Sequence, residues 1–141
     1  MKQVYPTFIA KGGDDFLVYV PDMDIYTEGK NIADAIEMAR DAIGLKGVAF
    51  EDSAMDLPVP SDEEEAIRKA KADTEFIDYS EGILTYVDID FTYYRNRMEK
   101  KSVRRNVTLP KWLDLEADKA GINVSQVLRD ALIAELNLSK Q

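Results

Sequence analysis

Two strand-like apolar runs open the chain, at residues 4–10 and 16–20, with Lys11-Gly12-Gly13-Asp14-Asp15 between them. Glycine and aspartate in that position supply the backbone freedom of a tight hairpin turn. Pro21-Asp22 ends the second run, and a short third strand is expected over residues 25–27. The spacing then becomes helical. Ile32, Ala35, Ile36, Ala39 and Ile43 fall on one helical stripe behind Asn31, an N-cap residue, and Gly44 stands where a helix commonly stops. Ala35 and Ala39 are small enough to let this helix lie close against a sheet.

After Leu57-Pro58-Val59-Pro60, residues 61–72 read as a second helix. Ser61 and Glu64 have capping-box spacing, and Asp62, Glu63 and Glu64 suit the positive end of a helix. Glu64 with Arg68 and Glu65 with Lys69 are i,i+4 pairs, which predict a solvent-facing helix. Residues 76–79 and 83–94 read as strands about Ser80-Glu81-Gly82, with Ile83, Val87, Ile89 and Phe91 on one face of the longer one. The fold class is therefore α+β: residues 1–94 form an antiparallel-rich sheet with helices on one face, and residues 95–101 are polar enough for a linker.

Residues 102–141 read as a separate module. An extended strand over 102–109 puts Val103, Val107 and Leu109 on one face and Arg104, Asn106 and Thr108 on the other. Pro110 fits the first position of a helix bearing Leu113, Ala117 and Ala120, which Gly121 closes. Asn123 caps the next helix, Gln126 is placed to reach back in a capping box, and Val124, Val127, Leu128, Ala131, Leu132 and Leu136 form the buried stripe. One strand and two short helices cannot close a core alone, and a lone strand leaves both edges unpaired. A second copy solves both problems: the strands pair into a ribbon and four helices share one core. Such a ribbon fits the major groove of B-DNA, where Arg reads guanine and Asn reads adenine.

This segment resembles the ribbon-helix-helix repressors of the Arc/MetJ/CopG type through Arg104-Arg105-Asn106-Val107-Thr108-Leu109-Pro110, Gly121-Ile122-Asn123-Val124-Ser125 and Val127-Leu128-Arg129-Asp130-Ala131-Leu132. The resemblance implies base contacts from Arg104, Asn106 and Thr108, and phosphate contacts at Asn123, Val124 and Ser125, where a helix N-terminus offers free N–H groups. Two features depart from the pattern: the first helix is about a turn short, and Arg105 takes a position where an inward apolar residue is usual. The competing reading is a module that only dimerises and carries its basic residues as solvated surface.

Composition narrows the chemistry. The 141 residues are 45% apolar and 32% charged, with a net charge of −9 and neither Cys nor His. That excludes disulfides, thiolate and imidazole catalysis, and most transition-metal sites. No basic-then-apolar leader opens the chain and no apolar run is long enough for a membrane span, so a cytoplasmic, non-membrane protein is expected. The charge divides unevenly. Residues 100–141 hold 8 Lys/Arg against 5 Asp/Glu, leaving 10 against 22 in residues 1–99, so the parts carry +3 and −12. The basic end suits a polyanion and the acidic end a basic protein.

The acidic part resembles the HicB family of antitoxins in Tyr5-Pro6, Phe16-Leu17-Val18-Tyr19-Val20-Pro21-Asp22, Thr27-Glu28-Gly29, the helix at 35–42 and Pro58-Val59-Pro60-Ser61. Met23-Asp24-Ile25-Tyr26 replaces the Pro-Gly-Cys-like turn often found in the family after Pro-Asp. The resemblance implies a partial RNase H-like fold without catalytic function, which binds a small basic mRNA-cleaving toxin of the HicA type. An acidic inhibitor can steer rapidly onto such a phosphate-binding partner, but tight binding needs an aromatic or apolar anchor. Tyr19, Tyr26 and Tyr86 are candidates for that anchor. Asp22, Asp24, Tyr26 and Glu28 are the candidate toxin contacts, with turn chemistry as the alternative role of the acidic residues near the hairpin.

Any catalysis by this chain would rest on carboxylates, Lys or Tyr, with Mg²⁺, and a two-metal nuclease would need converging carboxylates. Asp88 and Asp90 share a strand face, but the first strand offers no Asp or Glu to complete an RNase H-type pair of metal sites. No catalytic residue, metal or cofactor is therefore expected. The leading expectation is an antitoxin that neutralises a HicA-like toxin and represses its own operon by binding operator DNA. It would dimerise through residues 102–141, and either two ribbon dimers or pairing of the first domains could make a tetramer. The alternatives are a stand-alone repressor whose first domain senses a ligand or oligomerises and, from another class, a carboxylate–metal nuclease.

Overall fold

A computed structural model describes residues 1–73, 76–99 and 102–138, and the chain divides into two units, 1–101 and 102–141. Residues 100 and 101 of the expected linker and residues 139–141 of the expected second domain lie outside the described residues.

The first unit is built on strands β1 (Lys2–Gly12), β2 (Asp15–Val20), β3 (Ile25–Gly29) and β4 (Ile83–Asp90). They form one antiparallel sheet in the order β3-β2-β1-β4. The β1–β2 hairpin turns at Gly13-Asp14, with Gly13 at φ 66°, where a Cβ would be strained. Helix α1 (Ile32–Asp52) joins β3 to the later elements, and Asn31 caps it by accepting from Asp34 N at 2.8 Å. Ala35, Ala39 and Ile43 are fully buried and pack with Tyr5, Ile9, Val18, Val20, Val87 and Ile89 on one face of the sheet.

Helix α2 (Glu63–Ala72) lies on the opposite face, where Ala66 and Ala70 meet Phe8 and Tyr19. Helices therefore cover both faces, not one. The two alanines form a second apolar stripe that the dense charge of this helix conceals in the sequence. Its cap is Asp62, whose Oδ1 accepts from Glu65 N at 2.8 Å. Ser61, expected in that role, turns instead toward Asp22.

Three further expectations are corrected. Gly44 does not end α1, which continues through Gly47 to Asp52. Both glycines are packing sites: a Cβ at Gly44 would stand 2.6 Å from Tyr94 Cδ2, and one at Gly47 would overlap the Phe91 ring. Strand β4 ends at Asp90, whose Oδ1 accepts from Thr92 N and Tyr93 N and starts helix α3 (Phe91–Met98). That helix takes up residues 95–98 of the expected linker, and Arg95 bridges Glu51 and Asp52 at the end of α1. Residues 76–78 form no strand, and a single 3₁₀ turn, Tyr79–Glu81, precedes β4.

The second unit contains helices α4 (Lys111–Lys119) and α5 (Val124–Glu135). Pro110 is the N-cap residue of α4, one place before its expected position, and its carbonyl accepts from Leu113 N and Asp114 N. Gly121, at φ 69°, ends α4 with Gly121 N bonded to Asp118 O and Ile122 N to Ala117 O, a Schellman closure. Asn123 caps α5 through Gln126 N as expected, but the Gln126 side chain donates to Asp130 instead of reaching back. Residues 102–110 form no regular element. A strand requires a hydrogen-bonding neighbour, and one copy of the chain supplies none here.

Candidate functional site

Of the four residues expected at a protein interface, three are exposed, and Tyr26 and Glu28 share one face of edge strand β3. Tyr26 is 53% exposed, and its ring stacks on Tyr19 with centroids 4.9 Å apart and planes 18° from parallel. Cross-strand pairing of Tyr19 with Tyr26 places both rings on the face that carries α2. Tyr79 leans against both rings, at 5.2 Å from Tyr19 and 6.4 Å from Tyr26. The Tyr26 hydroxyl donates to Asp73 Oδ2 at the end of α2. That bond to a carboxylate, reinforced by partial burial, raises the pKa of the Tyr26 phenol and keeps it protonated. Asp24 immediately precedes β3 in the left-handed region, at φ 52°.

Asp22 stands apart from these surface groups. Its side chain is 1% exposed and is held by Ser61 N at 2.7 Å, by the Ser61 hydroxyl and by Lys69 Nζ at 2.7 Å. Burial pushes the carboxyl pKa up, but the bonds from Lys69 and Ser61 outweigh it and hold the group below its ordinary value. Asp22 thus fastens α2 to the turn after β2. Tyr19, another candidate anchor, is buried beneath Tyr26, whereas Tyr86 is exposed on β4.

The carboxylates considered for catalysis have other partners. Asp88 accepts from Arg40 at 3.0 Å, a hydrogen bond that lowers its pKa, and Asp90 caps α3. No cluster of three or more metal-binding side chains occurs among the described residues. No helix among them is long and apolar enough to cross a membrane.

In the second unit Arg104, Asn106 and Thr108 are exposed within residues 102–110, and Asn123, Val124 and Ser125 are exposed at the start of α5. No described residue of this unit is buried. Val107, Leu113, Val124, Val127, Leu132 and Leu136, placed in a core by their spacing, all meet solvent in the single chain.

The sequence matches the family described as HicB_like antitoxin of bacterial toxin-antitoxin system over residues 5–137. The chain belongs to the HicB-like antitoxins. It is 29% identical over 113 residues to an uncharacterized 14.9 kDa protein from the rep-hol intergenic region of Haemophilus phage HP1, covering 78% of this chain and 75% of the phage protein. Among solved structures it is similar to a chain of a toxin–antitoxin complex from Streptococcus pneumoniae, with TM-score 0.56, 27% identity, and 96% and 99% of the two chains covered. It is also similar to the antitoxin HicB3, with TM-score 0.50, 29% identity, and coverage of 98% and 100%. The Tyr79 and Asp73 contributions to the aromatic group were not evident from sequence: both residues lie outside the expected β3 region, and only the packing of α2 brings them to Tyr26.

Proposed function

We propose that this HicB-like chain neutralises a small, basic, HicA-type RNA-cleaving toxin through residues 1–101 and represses its own operon through residues 102–138. The observation that carries this reading is the division of the chain into a strongly acidic unit with its own core and a nearly neutral unit with no buried residue among those described. A free-standing acidic unit suits capture of a basic partner. A coreless unit with apolar helix faces suits a shared core with a second copy. On this reading, residues 102–109 become the paired strands of a ribbon-helix-helix dimer. Arg104, Asn106 and Thr108 then face bases, and Asn123, Val124 and Ser125 face phosphates. Two dimers on neighbouring half-sites give a tetramer. The toxin-complex neighbour from Streptococcus pneumoniae supports a toxin as partner, and the β1-β2-β3 meander followed by α1 supports the partial RNase H-like reading of the first unit.

The protein acts by binding rather than catalysis, in the cytoplasm, and needs no cofactor or metal. Its Asp88 and Asp90 already serve Arg40 and the start of α3. The test is co-expression with the product of the adjacent reading frame, followed by RNA-cleavage and operator-binding assays on the purified complex. Suppressed RNA cleavage together with sequence-preferring DNA binding is the expected outcome. DNA binding without any co-purifying toxin would favour a stand-alone repressor, and Mg²⁺-dependent RNA cleavage abolished by Asp88→Asn would favour a nuclease.

A further inference from the structure

We infer that Tyr26, Tyr79 and Asp73 form a receptor for an arginine side chain of the toxin, and that this contact anchors the acidic unit on its partner. The inference rests on the toxin-binding reading above and specifies where and by what chemistry it occurs. Tyr26 is a large aromatic ring at a sheet edge, half exposed although stacked on Tyr19. Tyr79 is tilted 55° from it at 6.4 Å, so two rings meet at an angle above a buried third. A guanidinium is attracted to such ring faces and stacks on them more readily than a lysine ammonium does.

Charge selects the same occupant. The Asp73 carboxylate accepts one hydrogen bond from Tyr26 through Oδ2. A carboxylate can accept several hydrogen bonds and suits the planar fork of an arginine. Asp24 and Asp73 both add negative potential at Tyr26, and Glu28 lies two residues along the same strand face. The rings are also prepared for binding. Tyr19, Tyr79 and Asp73 already fix the Tyr26 side chain, so little rotamer freedom remains to be lost when a partner docks. Residues that are aromatic, preorganised and backed by a carboxylate have the character of an interface hot spot.

The experiment uses the full-length chain and its co-expressed toxin, with dissociation constants measured by calorimetry and thermal melting as the control for folding. Tyr26→Ala and Asp73→Lys are each expected to weaken the complex at least tenfold. Tyr26→Phe keeps the ring and is expected to stay within about threefold of wild type. Asp73→Lys is compatible with folding because it places a cation at the end of α2, where the helix dipole favours one. Glu37→Lys makes the same charge change on exposed α1, on the other side of the sheet, and is expected to alter affinity less than threefold. If Glu37→Lys weakens the complex as much as Asp73→Lys does, general charge rather than this receptor holds the toxin. If wild type binds the toxin while Tyr26→Ala binds equally well, the receptor is wrong but the antitoxin reading stands. If wild type binds no toxin, the antitoxin reading itself fails.

Discussion

Lys69 Nζ lies 2.7 Å from Asp22 Oδ1, joining an aspartate side chain that is 1% exposed to a lysine side chain that is 40% exposed. The pair, with Ser61, fixes α2 over Phe8 and Tyr19 and so sets the position of Asp73 at the end of that helix. Asp22→Ala is expected to destabilise the first unit by about 2 kcal/mol. That is less than the ~3–5 kcal/mol lost when one partner of a fully buried pair is removed, because Lys69 can return to water. Urea unfolding of wild type and variant measures the difference.

The same carboxyl gives a pH signature. Its pKa is lower in the folded protein than the ordinary value of 3.8, so the unfolded chain binds the extra proton. The stabilisation is full above pH 3.8 and is lost as the pH falls from there through the lowered folded value. Asp22→Asn is therefore expected to flatten the acid limb of the stability–pH curve while leaving its slope near neutrality unchanged. An acid limb identical to wild type would show that Asp22 does not carry it.

Gly44 and Gly47 show why part of the fold escaped the sequence. A glycine after a run of helical apolar positions is equally consistent with a stop signal and with a close approach, and only the partner ring distinguishes them. Here the partners, Tyr94 and Phe91, lie more than forty residues away in a segment that reads as strand. The elements set by local rules were legible: the Gly13 turn, the Asn31 and Asn123 caps, the Gly121 closure, and the alternation of Val87 and Ile89. The elements set by distant contacts were not. Asp62 displaced Ser61 as a cap because Asp22 had engaged Ser61, and Tyr79 joined Tyr26 only through tertiary packing. Gly47→Ala is accordingly expected to destabilise the first unit by about 1–3 kcal/mol, the usual range for overpacking, despite the higher helix propensity of alanine. Thermal melting of the variant checks it.

The proposed ribbon makes a separable prediction about operator DNA. Each good bidentate base contact is worth about 1–3 kcal/mol of discrimination, so Arg104→Ala should weaken operator binding by that amount and relax the preference at one position in each half-site. A phosphate contact behaves differently: its loss weakens all sequences alike and lowers the salt dependence. Binding isotherms at several salt concentrations, on operator and on scrambled DNA, distinguish the two roles. Unchanged affinity and preference would remove Arg104 from base readout.

Deleting residues 102–141 tests whether the two functions occupy separate units. The first unit has a continuous core of its own around Tyr5, Val18, Ile43 and Val87, so the truncated chain should still fold. It should also suppress the toxin, since the Tyr26 face belongs to the first unit. Operator binding should disappear, and the proposed dimer should be lost with it, because the exposed apolar faces of α4 and α5 are gone. Sedimentation, RNA-cleavage inhibition and DNA binding measured on one preparation make the comparison direct. If the truncated chain remains folded but no longer restrains the toxin, neutralisation depends on the pairing of two copies, and the functions are coupled through assembly.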